Sequence, residues 1–276
     1  MTPTRDPSWQ PRDCHAHTTW SDGDLPVKAV IAAVRARGVR PSISDHVTRD
    51  ATHGLTSVDL VRAYLDELES LGDPDLGIAG ECCWHDVLWR ELPPDVVRRF
   101  THRIGSLHAV VLPDGSLLDM FNGDLPAGLT PDAYMDVHVA TLERFAAEMP
   151  VDILAHPTLL PMPLRQVPLE DLWTEPREAR AVAALARAGI AFEISNRYRP
   201  HERFVRRAHV GGARISLGSD GHSAAAVGDV VWPLGMARAV GVRDEDLYDP
   251  LRHGSRTRPR AGGATRSSSR AASGAR

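Results

Sequence analysis

Between residues 11 and 250 the chain alternates helix-like segments with short apolar runs, and each run ends on a side chain able to hold a metal ion or a proton. Val27, Val30, Ile31 and Val34 fall at i, i+3, i+4 and i+7 before Gly38, which predicts an amphipathic helix over 26–37 with a glycine stop. Ser57 predicts the cap of a second helix, in which Val61, Tyr64, Leu65 and Leu68 repeat that spacing before Gly72. Thr130 followed by Pro131 predicts the start of a third, and the alanine-rich stretch 174–188, closed by Gly189, a fourth. Between them lie apolar runs at 39–44, 76–79, 103–107, 151–155, 190–195 and 214–218, which read as strands. Strands and helices in this alternation predict a parallel sheet, and one unit with no internal linker and no repeat predicts a barrel-like α/β domain.

The ends of the runs carry the chemistry. His15 and His17 end the first, Asp45 and His46 close PSISDH, and Glu81 closes LGIAGE. His108 closes RIGSLH, His156 closes VDILAHP, Glu193 lies in IAFEIS, and Asp220 and His222 follow ISLGSDGH. The C-terminal strand ends of a parallel barrel form one face, and sites are built there, so residues distant in sequence are expected to converge. Residues two apart in a strand point the same way, so His15 and His17 can present two imidazoles to one point. The set is rich in histidine and carboxylate with no cysteine at the strand ends, which suits zinc, manganese or iron. It exceeds what one ion can use and implies two or three divalent ions, able to bridge a phosphate and acidify a water.

Composition narrows the classes. No apolar run approaches the ~18–20 residues that a membrane span needs, and MTPTRDPSWQPRDCHAH lacks the apolar core of a secretion signal, so a cytoplasmic protein is expected. Cys14, Cys82 and Cys83 make no even framework, which fits a reducing compartment, and packing is the expected role of Cys82 and Cys83. The formal charge of −4 gives no general case for nucleic-acid binding. Arg252 to Arg276 holds seven arginines and no acid among serine, glycine and alanine. We therefore expect a folded domain over 11–250 and a disordered basic tail over 251–276.

The pieces DCHAHTTWSDG, ISDH, GE at Gly80–Glu81, IGSLH, LAHP, EIS and GSDGHS occur in an order that resembles the polymerase and histidinol phosphatase (PHP) family, over residues 13 to about 240. The resemblance implies a distorted seven-stranded (β/α) barrel and a trinuclear metal site. By that likeness His15, His17, Glu81 and Asp220 hold one ion, Glu81, His108 and His156 a second, and Asp22, His46 and His222 the third. It further implies hydrolysis of a small phosphomonoester or nucleotide by a metal-bound hydroxide, with His15, His17, Glu81, Asp220 and His222 as the catalytic set. A histidinol phosphatase is a specific alternative within the resemblance, although such enzymes tend to read EIN where this chain reads EISN.

Substrate contacts are less marked. Arg197 and Arg199, after the sixth strand, suit bidentate phosphate binding, and Arg49 and His53, after the second, are further candidates. His85, with Trp84, is expected near the mouth. His102, His138, His201, His209 and His253 are expected to be surface or core residues. Three other readings stay open: a 3′–5′ exonuclease or phosphodiesterase on RNA or DNA that uses the basic tail, a non-catalytic metal-stabilised module, and an amidohydrolase-type barrel. The last usually needs a strand-end lysine, whereas Lys28, the one lysine of the chain, falls on a helix.

Overall fold

The computed structural model describes residues 9–49, 54–121 and 124–256; His53 and the stretch from 257 onward lie outside the described residues. The strands are β1 (Ser42–Ile43), β2 (His46–Val47), β3 (Gly77–Ile78), β4 (Glu81–Cys83), β5 (Ile104–Ser106), β6 (Ala109–Val111), β7 (Leu117–Asp119), β8 (Ile153–Leu154), β9 (Ala191–Ser195) and β10 (Ile215–Gly218). The longer helices are α1 (Val27–Ala36), α2 (Val58–Ser70), α5 (Pro131–Glu148), α7 (Glu175–Ala188), α8 (Glu202–Val210) and α9 (Val231–Ala239). Single turns are α3 (Leu88–Glu91), α4 (Pro94–Val97), α6 (Leu169–Leu172) and α10 (Pro250–His253).

The four helices expected from periodicity are present, and the caps act as the sequence implies. The Ser57 side chain accepts from the Leu60 N–H, and Thr130 from the Ala133 N–H. α7 ends on Gly189 at φ 69°, a left-handed conformation that glycine adopts without a Cβ penalty.

β10, β9, β8, β5, β4 and β2 form one parallel sheet in that order, and β1 continues into β2 as β3 continues into β4, with β1 pairing β3. A seventh segment closes the barrel. The Asp13 N–H donates to the Arg40 carbonyl on one side, and Cys14 N–H to Leu217 on the other. Further up, Ser44 N–H donates to Ala16, Asp220 N–H to His15 and His17 N–H to Gly221. The strand path through 12–17 thus sits between the first and last strands of the sheet, giving the seven-stranded (β/α) barrel.

Register decides what points inward. His46 pairs with Glu81, Glu81 with Ile104, Ile104 with Ile153, and Ile153 with Ala191, so these side chains share a face. Cys14, Ile104, Ile153, Ala155, Ala191 and Tyr248 pack as a small apolar cluster inside the barrel, separate from the large core between sheet and helices. Two residues beyond Ala191, alternation turns Glu193 inward, fully buried above that cluster.

Two features depart from expectation. An antiparallel hairpin, β6–β7, follows His108, where the apolar residues of AVVLPDGSLLDM alternate too weakly to stand out. The fold also continues past 250: α10 follows, and buried Ser255 and the backbone of Arg256 both donate to Asp152. Residues 251–256, expected in the tail, are therefore part of the packed unit.

Candidate metal centre

Asp13 and Asp45 shape the backbone that carries the first ligands. Buried Asp13 accepts from the His15 N–H, from both Ser219 N–H and Oγ, and from the Gly228 N–H, tying the first strand path to the turn after β10. Burial outweighs these donors and lifts its pKa to about 6. Asp45 accepts from Thr18 N–H and Oγ1 and from Ser21 Oγ, which fixes the loop that brings Asp22 back over His17. That loop is tight at Gly23, where a Cβ would come within 2.6 Å of the His17 carbonyl oxygen.

The nine expected ligands converge. Glu81, fully buried, lies at the middle: its Oε2 is 2.9 Å from His46 Nδ1, 3.3 Å from His15 Nε2 and 3.6 Å from His17 Nε2. Its Oε1 is 3.1 Å from His156 Nε2 and 3.3 Å from His108 Nε2. Asp220 Oδ1 lies 3.5 Å from His17 Nε2 and 3.8 Å from His15 Nε2. Asp22 reaches His222 Nε2 at 3.2 Å and His46 Nε2 at 3.5 Å. Ligand atoms fall into tight groups: His15, His17 and Asp220; Glu81, His108 and His156; and Asp22, His46 and His222 joined by His17.

This donor set fits divalent ions. Glu81 Oε2 and His46 Nδ1 are buried 2.9 Å apart without the geometry of a good hydrogen bond, a costly arrangement for polar atoms unless a cation binds both. Glu81, although burial opposes it, is held well below the usual carboxylate range by His46, His15 and His108. His46 rises to about 10 against its own burial because Glu81 and Asp22 face it. Burial and neighbouring His46 push His17 down to about 3, and burial takes His108 to about 4. Some imidazoles are thus neutral donors, while others carry protons that cations would replace.

Backbone strain marks two ligands. Among the described residues His156 at φ 30° and Asp220 at φ 50° are the non-glycine residues with positive φ, a conformation that costs roughly 1–3 kcal/mol each and collects at functional sites. Sequence gives no sign of it.

The expected substrate residues separate. Arg197 Nη1 is 3.0 Å from His222 Nδ1 and 3.9 Å from Asp220 Oδ1, at the rim of the cluster. Arg199 instead bonds Asn196 and stacks over Trp232 at 4.9 Å. Arg49 pairs with Glu91, and its N–H bonds Asp86. His85 is half-buried in the turn after β4, while Trp84 packs into the core against Trp89 and Phe145, away from the role given it beside His85.

Other contacts at the cluster were not expected. Arg165 lies over the rings of both Phe121 (5.6 Å) and Tyr198 (5.4 Å), and Tyr198 meets His156 edge-on. Cys83, expected only to pack, has its Sγ 3.1 Å from His108 Nδ1. Glu193 bonds His15 Nδ1 at 2.8 Å and the His156 N–H at 2.6 Å. Its inward register was readable from alternation; the contacts of Arg165 and Cys83 come from tertiary folding alone. The bland reading holds for His138, buried beside Tyr134 and Trp173, and for His201, which bonds Glu178.

No family model matches the sequence, and neither does any curated protein. The fold is similar to the crystal structure of a histidinol phosphate phosphatase from Lactococcus lactis subsp. lactis Il1403, solved in complex with zinc, L-histidinol and phosphate. The TM-score is 0.65 at 16% identity, over 90% of this chain and 98% of that one. The likeness establishes the barrel architecture.

Proposed function

We propose that this chain is a metal-dependent phosphoesterase of the PHP type, acting on a small phosphomonoester or nucleotide. The observation that carries the reading is Glu81, a fully buried carboxylate with ring nitrogens of His15, His17, His46, His108 and His156, from the ends of different strands, all within 3.6 Å. The neighbouring fold, whose crystal contains zinc and phosphate, supports it.

In this reading His15, His17, Glu81 and Asp220 hold one ion, Glu81, His108 and His156 a second, and Asp22, His46 and His222 a third. Divalent ions so placed polarise a phosphoryl group, lower the pKa of a water and stabilise the leaving oxygen. The protein's own residues do the rest. The His222 Nδ1 lies 2.9 Å from the Asp220 carbonyl oxygen and 3.0 Å from Arg197 Nη1, and its Nε2 faces Asp22 at 3.2 Å. Arg197, half-exposed at the rim, is placed to meet an incoming phosphate, and its guanidinium also rests over Tyr198 at 5.5 Å. Arg165, Phe121 and Tyr198 form the adjoining wall, where the organic part of a substrate would lie.

Zinc, manganese and iron all suit these donors, and two or three ions can be accommodated. Histidinol phosphate belongs on the substrate panel because of the neighbour's contents, and EISN in place of EIN keeps it one candidate among several. A cytoplasmic location remains our expectation; among the described residues no helix is long and apolar enough to cross a membrane.

The test is phosphate release with added Mn²⁺ or Zn²⁺ across histidinol phosphate, nucleoside monophosphates, sugar phosphates and a short oligonucleotide. Chelator-sensitive release from one monoester, absent in His15→Ala, is the expected result. Shortening of the oligonucleotide without release from monoesters would replace the reading with a diesterase, and silence from fully metallated protein would end it.

A further inference from the structure

Glu193 has no place in the ligand groups, yet it touches two of them. It sits on β9 two residues beyond Ala191, faces inward and is fully buried. Its Oε1 lies 2.8 Å from His15 Nδ1, and its Oε2 accepts the His156 backbone N–H at 2.6 Å. Each contact controls a ligand. A proton held on His15 Nδ1 leaves Nε2 as the donor nitrogen, aimed at Glu81 and Asp220. The bond to His156 N–H secures the residue at φ 30°, and from that backbone its Nε2 reaches Glu81 at 3.1 Å. The carboxylate has little freedom, because it fills the space over Gly218: a Cβ there would stand 2.1 Å from Glu193 Oε1 and 2.9 Å from His15 Cβ.

Resting on the metal-centre reading above, we propose that Glu193 is a positioning residue that couples the first and second ion subsites, one through each carboxylate oxygen. Both partners are donors, His15 through Nδ1–H and His156 through its backbone N–H. A carboxylate accepts from both at once, whereas an amide of the same shape offers one acceptor and one donor. Glu193→Gln must therefore give up one partner, and the rigid placement passes the disturbance to the other. Glu81 also joins the two subsites, but it stays intact in this variant. Asp22 and His222 of the third subsite do not touch Glu193, so that subsite serves as an internal control.

The experiment is a Zn²⁺ titration of chelator-treated protein against a chromophoric competitor, with bound metal counted by elemental analysis and folding followed by circular dichroism. In Glu193→Gln we expect the first and second ions to weaken together by roughly 10- to 100-fold, with the third unchanged. Gly218→Ala crowds Glu193 Oε1 and also His15 Cβ without changing a polar group, so it should weaken the same two ions, and its effect on the second, whose residues Gly218 does not crowd, carries the test should Glu193→Gln fail to fold. Weakening of a single ion overturns the coupling. Lowered thermal stability with unchanged ion affinities makes Glu193 merely structural and overturns it too. Failure of the wild-type protein to bind Zn²⁺ would instead remove the metal centre itself.

Discussion

At the end of the barrel where the strands begin, Arg12 and Arg40 sit between Asp75 and Asp249; at the end where they finish, histidines crowd around Glu81. Both clusters bury charge. At the first end almost every donor has an acceptor: Arg12 Nε meets Asp249 at 3.2 Å, its Nη1 meets the carbonyls of Pro41 and Asp75, and its Nη2 meets Asp75 Oδ1 at 3.1 Å. Arg40 joins both aspartates, and nearby Asp152 accepts from Arg103 N–H, Ser255 and Arg256 N–H. At the second end Glu81 and His46 lie 2.9 Å apart amid further histidines, and His156 and Asp220 occupy strained backbone. Permanent cations complete the lower cluster within the chain. The upper one is built from groups that can surrender protons, and its donor atoms group as a metal centre would need.

That contrast can be broken from either side. The largest effect is expected at the upper end: His15→Ala or Asp220→Ala should abolish turnover and remove an ion while leaving most of the fold, since the barrel is held by apolar strand residues. Wild-type turnover with unchanged metal content would sink the site. At the lower end Arg12→Met should strip two aspartates of a buried partner and lower the unfolding free energy by about 3–5 kcal/mol. Metal content per folded molecule should stay the same; a parallel loss of metal would mean that the two ends are not independent.

Next in size is a pH effect away from both clusters. Burial pushes His138 down to about 4, so the folded chain leaves it neutral where the unfolded chain protonates it near 6.5. Its contribution is intact above pH 6.5 and is lost as pH falls from there toward 4, by roughly 3 kcal/mol in all. Urea titrations of His138→Leu should show a flatter decline across that window, and an unchanged slope would remove His138 from the acid response. The smallest effect belongs to Arg197, half-exposed at the rim. Arg197→Ala should raise KM for a phosphomonoester more than it lowers kcat, whereas the opposite split would make Arg197 a transition-state group.

How much of this was legible follows from what fixes each feature. The convergence of the strand-end histidines and carboxylates could be read because a polar residue closing an apolar run has few other reasons to be there, and a parallel barrel gathers such ends on one face. The glycine-stopped helices were legible from period and punctuation. α8 was not: its sequence ERFVRRAHV is strongly charged, and Arg203 and Arg207 are held by buried Glu178 of α7, a contact made only after folding. The substrate arginines show the same limit. Arg197, Arg199 and Arg49 look alike in sequence, but Trp232 and Asn196 occupy Arg199, Glu91 occupies Arg49, and Arg197 reaches the cluster.

The closing strand path carries a consequence for how the molecule comes into being. Asp13 bonds Ser219, a partner 206 positions away, and His15 and His17 meet Asp220 across the same seam. Synthesis runs from the amino end at about 5–20 residues per second, so the first pair of imidazoles waits on the order of ten seconds for the carboxylate that completes its subsite. Through that interval a nascent chain holds a histidine pair without its carboxylate and a strand whose second neighbour is still to come. The last strand to be made thus both closes the barrel and delivers Asp220 and His222, the last side chains of the cluster.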